Sequence, residues 1–211
     1  MSNVMNIEPL VLEGIHVRLE PLSLEHVDQL CDGGLDPDLW QWTPTIVRTP
    51  HDMRMYVELA LQMQRDGTAL PFAIVERSSG KAIGSTRFGS IERNHRRVEI
   101  GWTWIARPWQ QTSINTETKC LMLKHAFEVL GCMRVEFKTD SLNQRSRAAI
   151  LRIGAKEEGV LRNHVITYTG RVRHTIYYSI IDAEWPMVKA GLETKLRRPQ
   201  RHEEDGSFGT L

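Results

Sequence analysis

With 211 residues, 41% of them apolar and 25% charged, the chain has the make-up of a folded globular protein and is long enough to bury a core without staples. Its 27 basic and 26 acidic residues nearly cancel, which argues against nucleic acid as the main partner, because that partner selects a basic face. Three cysteines without a CxxC pair speak against a disulfide framework and for a reducing, cytoplasmic compartment. No apolar run approaches the ~20 residues that span a bilayer, and the first residues lack a signal peptide's basic head and apolar stretch.

In chain order, residues 15–20 alternate as a strand that Pro21 ends, and Leu24 to about Leu30 forms a short helix with Ser23 as its cap. Asp32-Gly33-Gly34 and Asp36-Pro37 mark turns. A loop rich in aromatic and turn residues carries Trp40, Trp42, Pro44 and Pro50. From Asp52 to about Arg65, Met55, Leu59 and Met63 recur at helical spacing and predict the apolar face of a second helix. A meander follows, with strands at Pro71–Glu76, Ala82 to about Ile91, and Val98–Ile105, joined by short turns that favour antiparallel pairing.

The stretch from Arg97 to Gly154 then reads strand, polar turn, helix, strand, helix. The turn Arg107–Ser113 opens onto a helix from about Ile114 to Leu130, with Leu123, Ala126, Phe127 and Leu130 on its apolar face and Gly131 as its stop. Such a turn presents free backbone N–H groups and the positive end of a helix dipole, an anion site that needs no Lys or Arg and suits a ligand with phosphates. Met133 to Asp140 alternates as a half-buried strand, and strand–helix–strand order implies a parallel pair with a right-handed crossover. Asn143–Ile153 is a shorter helix stopped by Gly154. Strands near 156–162 and 173–181, a terminal helix from Asp182 to Leu196 and a polar, fraying tail complete the chain.

This order of elements is a mixed sheet, antiparallel first and parallel in the middle, and its residues resemble the GNAT superfamily of acetyl-CoA-dependent N-acetyltransferases, in its RimJ/RimL-like branch. The resemblance covers roughly residues 10–185. Gln110-Gln111-Thr112-Ser113-Ile114-Asn115 occupies the pyrophosphate signature Gln/Arg-x-x-Gly-x-Gly/Ala, with Ser113 and Asn115 where small residues are usual. Asn143-x-x-Ser146-Arg147, followed by Gly154-Ala155 and Glu158-Gly159, is similar to the motif of the family's fourth helix. The fold implied is α/β, more closely α+β: a mixed sheet of about seven strands flanked by helices, one domain over 1–196 with the tail at 197–211. The activity implied is acetyl transfer to a primary amine, on a protein N-terminus or a small molecule, without a metal. A module that binds CoA or another phosphate ligand without turnover is the alternative.

On that resemblance, residues Gln110, Gln111, Thr112, Ser113, Ile114, Asn115 and Thr116 cradle the pyrophosphate; the bland alternative is a strand-to-helix connection with polar caps. Glu117 in the first turn would repel the ligand and is expected to point away. Trp102, Thr103 and Trp104 lie where the family's central strand splays from its parallel neighbour and offers backbone groups to the pantetheine amides, while their rings pack. Asn143 either bonds the pantetheine arm or caps its helix. Ser146 takes the place of the thiolate's proton donor, or is a solvated helix serine. Glu99 is either the general base or a surface carboxylate facing Arg97. Arg147 reaches the adenosine 3′-phosphate or lies on a solvated face. The histidines from His16 to His174 show no HxH or HExxH spacing, so no metal is expected. The Trp40–Trp42 loop shapes an acceptor pocket or an oligomer contact, and a homodimer through it or through the terminal helix is an expectation of the same kind.

Overall fold

The computed structural model describes residues 5–197. The strands are β1 (Leu12–Glu13), β2 (Val17–Pro21), β3 (Leu70–Glu76), β4 (Ala82–Glu92), β5 (Arg97–Ile105), β6 (Arg134–Asp140), β7 (Lys156–Ile166) and β8 (Val172–Ile181). They form one sheet in the order β1-β2-β3-β4-β5-β6-β8-β7. Every adjacent pair is antiparallel except β5 with β6. The sheet has eight strands rather than about seven. The addition is β1, two residues folded back on β2 through Gly14, whose N–H donates to the Val17 carbonyl.

Alternation along β3 shows how the core divides. Phe72 and Ile74 face one side, where α3 (Ser113–Lys124) and α5 (Trp185–Arg197) cover Phe88, Val98, Ile100, Val135 and Phe137. Ala73 and Val75 face the other, where α1 (Val27–Gly34) and α2 (Pro50–Arg65) pack with Trp40 and Trp104. A short α4 (Gln144–Arg152) follows β6. The first helical turn after Ser23 is 3-10, and Asp32-Gly33-Gly34 continue α1 instead of turning. Gly33 is needed for close packing, since an added β-carbon would strike Ala106.

The predicted face of α2 is wrong. Met53, Tyr56, Val57 and Ala60 are buried, whereas Met55 and Leu59 are 51% and 57% exposed. Two stripes of this helix have apolar residues at i, i+4 spacing, and only the neighbouring strands select one. The long helix also departs from expectation, because after Lys124 it loosens into a π-helical turn over His125–Val129. Gly131, at φ 64°, then supplies the left-handed stop. The last helix starts at Trp185, after a 3-10 turn over Asp182–Glu184 in which Glu184 accepts from the Ile181 N–H. Apart from Arg197, which ends α5, the expected tail lies outside the described residues.

Pairing in the middle of the sheet is short. The β5–β6 register runs Arg97↔Arg134, Val98↔Val135, Glu99↔Glu136 and stops. Beyond it β5 continues to Ile105 along β4, and β6 continues to Asp140 along β8. The two strands therefore part after Glu99. An irregularity on β5 accompanies the parting: Ser85 opposes Trp104 and Arg87 opposes Gly101, so β5 holds one extra residue there, with Trp102 at φ 50°.

Candidate active site

The turn after β5 is built by its own side chains. Gln110 donates from Nε2 to the Ile105 carbonyl at 2.7 Å and accepts from Arg145 at 2.8 Å. Thr112 donates to the Trp109 carbonyl and accepts from the Ile114 N–H at 3.3 Å, as the N-cap of α3. Gln111 is left-handed, at φ 63°. The N–H groups of Gln111 and Thr112 have no acceptor among the described residues. The Ile114 amide serves the cap, and the Ile114 and Thr116 side chains are buried on the inner face of α3, so any ligand would meet backbone here and not those side chains.

A cleft of about 340 Å³ adjoins the turn, lined by Asp36, Asp38, Leu39, Arg107, Gln110, Gln111 and Arg145. Arg107 is taken up by Asp36 at 2.9 Å and Asp38 at 2.6 Å, and its hydrogen bond holds the Asp36 carboxyl below the usual range. Arg145, the other arginine lining this cleft, bonds the neutral Gln110, and its charge also helps to hold the Asp36 carboxyl low. No motif marks Arg145, which differs in the sequence from any exposed helix arginine only by its place in the first turn of α4.

Glu117 points away from the turn, as expected. Its carboxylate accepts from three consecutive backbone N–H groups, Ile15, His16 and Val17, at 2.7, 2.7 and 2.9 Å. Gly14 permits this approach, since a β-carbon there would lie 2.6 Å from the carboxyl carbon.

On the split strand, the Trp102 carbonyl accepts from Tyr56 OH at 3.2 Å, so one backbone group expected to face a ligand has a protein partner. The Trp104 ring is buried between α1 and α2 beside Trp40, and its Nε1 has no acceptor among the described residues. Thr103 accepts from Lys119 Nζ at 2.6 Å and meets the Thr86 hydroxyl at 2.7 Å. Burial lowers the Lys119 pKa to about 7.

Glu99 is the last β5 residue paired with β6, so it stands where the sheet opens. It is 4% exposed and faces Lys138 at 2.7 Å and the Ser90 hydroxyl at 2.9 Å. The picture of a surface carboxylate beside Arg97 is thereby corrected: Arg97 turns to Glu136 and Glu92. Burial acts to lower the Lys138 pKa, but Glu99 and Tyr177 together outweigh it and raise the value.

Asn143 caps α4, accepting from the Ser146 N–H at 3.0 Å, and Ser146 is half-buried. Arg147 is half-buried and not on an open helix face. It reaches Tyr178, the Ser141 carbonyl and Glu157. Trp40 is core, with its ring N–H on the Gly34 carbonyl, and only Trp42 remains half-exposed, over Arg171.

A mixed sheet whose one parallel pair parts beside a buried carboxylate, with a helix N-terminus next to the opening, is a fold of the acyl-transferase type. The Acetyltransferase (GNAT) domain family matches residues 16–156, and the chain belongs to that family. Among its relatives is a Bacillus subtilis protein named "Putative ribosomal N-acetyltransferase YdaF", 33% identical over 107 residues, which are 50% of this chain and 57% of that one. A GCN5-related N-acetyltransferase from Brucella melitensis superposes with a TM-score of 0.82 at 28% identity, covering 89% of this chain and 86% of that one. RimJ from Mycobacterium smegmatis, solved in complex with CoA-disulfide, shares the fold at TM-score 0.76 and 22% identity, over 90% and 96% of the two chains.

Proposed function

We propose that this acetyltransferase takes the acetyl group from acetyl-CoA and passes it to a primary amine by direct attack in a ternary complex. The observation that carries the reading is the end of the β5–β6 register at Glu99↔Glu136, beside a turn whose Gln111 and Thr112 amides are open. A diphosphate fits those amides and the dipole of α3, with Arg145 as its cation. The pantetheine arm fits the gap, along the edge of β5 that β6 leaves beyond Glu99, and Asn143 at the start of α4 bonds it. Holding donor and acceptor together supplies much of the acceleration, and backbone N–H groups of β5 stabilise the tetrahedral oxyanion.

Glu99 receives the acceptor's proton. An incoming ammonium competes with Lys138 for the same carboxylate. Once the tetrahedral intermediate collapses, the Ser146 hydroxyl hydrogen-bonds the leaving thiolate. The acceptor is a protein N-terminus or a small amine; the name of the Bacillus subtilis relative supports the former.

Release of free thiol from acetyl-CoA with a panel of amines and N-terminal peptides tests the reaction, and calorimetry with CoA tests the cradle. Heat with CoA but no thiol release would leave a binding module. No heat at millimolar CoA would remove both readings.

A further inference from the structure

Arg87 on β4 is 2% exposed and has no carboxylate within ion-pair distance among the described residues. Its guanidinium lies between the rings of Tyr56 and Trp102, 5.1 Å from each centroid. Among the described residues its guanidinium makes one hydrogen bond, from Nη1 to the Met63 thioether at 3.4 Å, a weak acceptor. Arg173, the other buried arginine, bonds two oxygens, on Thr175 and Trp42. A guanidinium carries five donors and does not lose its charge, so leaving it buried without an anion is costly.

Arg87 also lies close to the chemistry. It opposes Gly101, while Glu99 opposes Gly89, so the two share a sheet face as diagonal neighbours, about 7–8 Å apart by ordinary sheet geometry. The Trp102 ring covers the interval. It is 41% exposed, sits on a residue strained at positive φ, and rests on Gly89, where any β-carbon would collide with it.

We infer that Arg87 is the counter-ion site for the acceptor: the substrate amine carries a carboxylate, which Arg87 binds at the Trp102 ring while the nitrogen lies toward Glu99. Lys138 neutralises Glu99, so a second carboxylate nearby is tolerated. Both a free amino acid and an acidic residue at a peptide N-terminus have this chemistry. The inference rests on the acetyl-transfer reading of the site.

Two acceptor pairs test it by thiol release: alanine against alaninamide, and Asp-Ala-amide against Asn-Ala-amide. In one pair at least, the carboxylate member exceeds its neutral partner about tenfold or more in kcat/KM, chiefly through KM. The first pair reports a free amino acid, the second a peptide N-terminus. Arg87→Met brings that ratio to about one and melts no lower than the wild type, since it removes a charge without a partner. Arg87→Lys, which keeps the charge and loses the fork, gives an intermediate ratio. Ratios near one in both wild-type pairs, a ratio unchanged in either variant, or an Arg87→Met melting point well below the wild type would each overturn the inference. If no amine at all supports thiol release, the underlying acetyl-transfer reading falls with it; normal turnover without preference sinks the counter-ion site alone.

Discussion

The pockets around Glu117 and Glu99 hold carboxylates buried to the same degree, 4% exposed, yet they are built from different donors. Glu117 is gripped by three backbone amides of the turn into β2, which cannot leave without unfolding that turn. Glu99 is held by a lysine ammonium and a serine hydroxyl, both on side chains that can rotate away. Backbone donors make a charge part of the fold; side-chain donors leave it exchangeable, which proton transfer requires. The difference also follows position, since Glu117 ties α3 to the β1–β2 turn while Glu99 stands at the opening of the sheet.

The contrast breaks first at Glu117. Glu117→Ala leaves three amides without an acceptor and lowers stability by roughly 3–5 kcal/mol, measured by urea denaturation. Gly14→Ala acts in the same direction by crowding the carboxylate. Glu99→Gln is the opposite case: thiol release falls about 100-fold, or roughly 2.7 kcal/mol, with a much smaller change in the urea midpoint. The residual rate climbs with pH as the acceptor sheds its own proton; a wild-type rate across pH would remove Glu99 from the mechanism.

Lys119 sharpens the comparison, because α3 carries it two residues after Glu117 while its amine reaches the cleft strand at Thr103. With a folded pKa of about 7 against an ordinary 10.5, the unfolded chain holds the extra proton between those values. Its contribution to stability therefore rises with pH through that window, and the burial penalty is complete below pH 7. Lys119→Met is expected to be more stable than the wild type by about 2 kcal/mol at pH 7. The gap between the two melting temperatures closes as pH approaches 10; a constant gap would show that Lys119 does not titrate there. The smallest effect is at the turn, where Arg145→Ala weakens CoA binding about fivefold by calorimetry, with a reduced salt dependence.

Much of this was legible along the chain. The strand over Arg134–Asp140, the stop at Gly131 and the Asn143 cap are local features and form where the sequence puts them, although Met133 falls outside the strand and Glu136 and Asp140 on its polar face are buried. That Glu117 points away from the turn followed from charge alone. Its partners did not, because they lie about a hundred residues upstream. Lys138 was invisible as the partner of Glu99 for the same reason: adjacency across β5 and β6 is a matter of register. Arg87 offered no signal at all, since a strand arginine with an ion-pair partner and one without look alike in sequence.

The sequence by itself determined seven of the eight strands, the main helices, their order and the family, because period, turn chemistry and helix caps act within a few residues of one another. Only the tertiary structure decided which α2 stripe is buried, where β5 leaves β6 and which charges meet. Those outcomes depend on strand register and on contacts between residues distant in the chain, and burial then sets the cost of every charge without a partner.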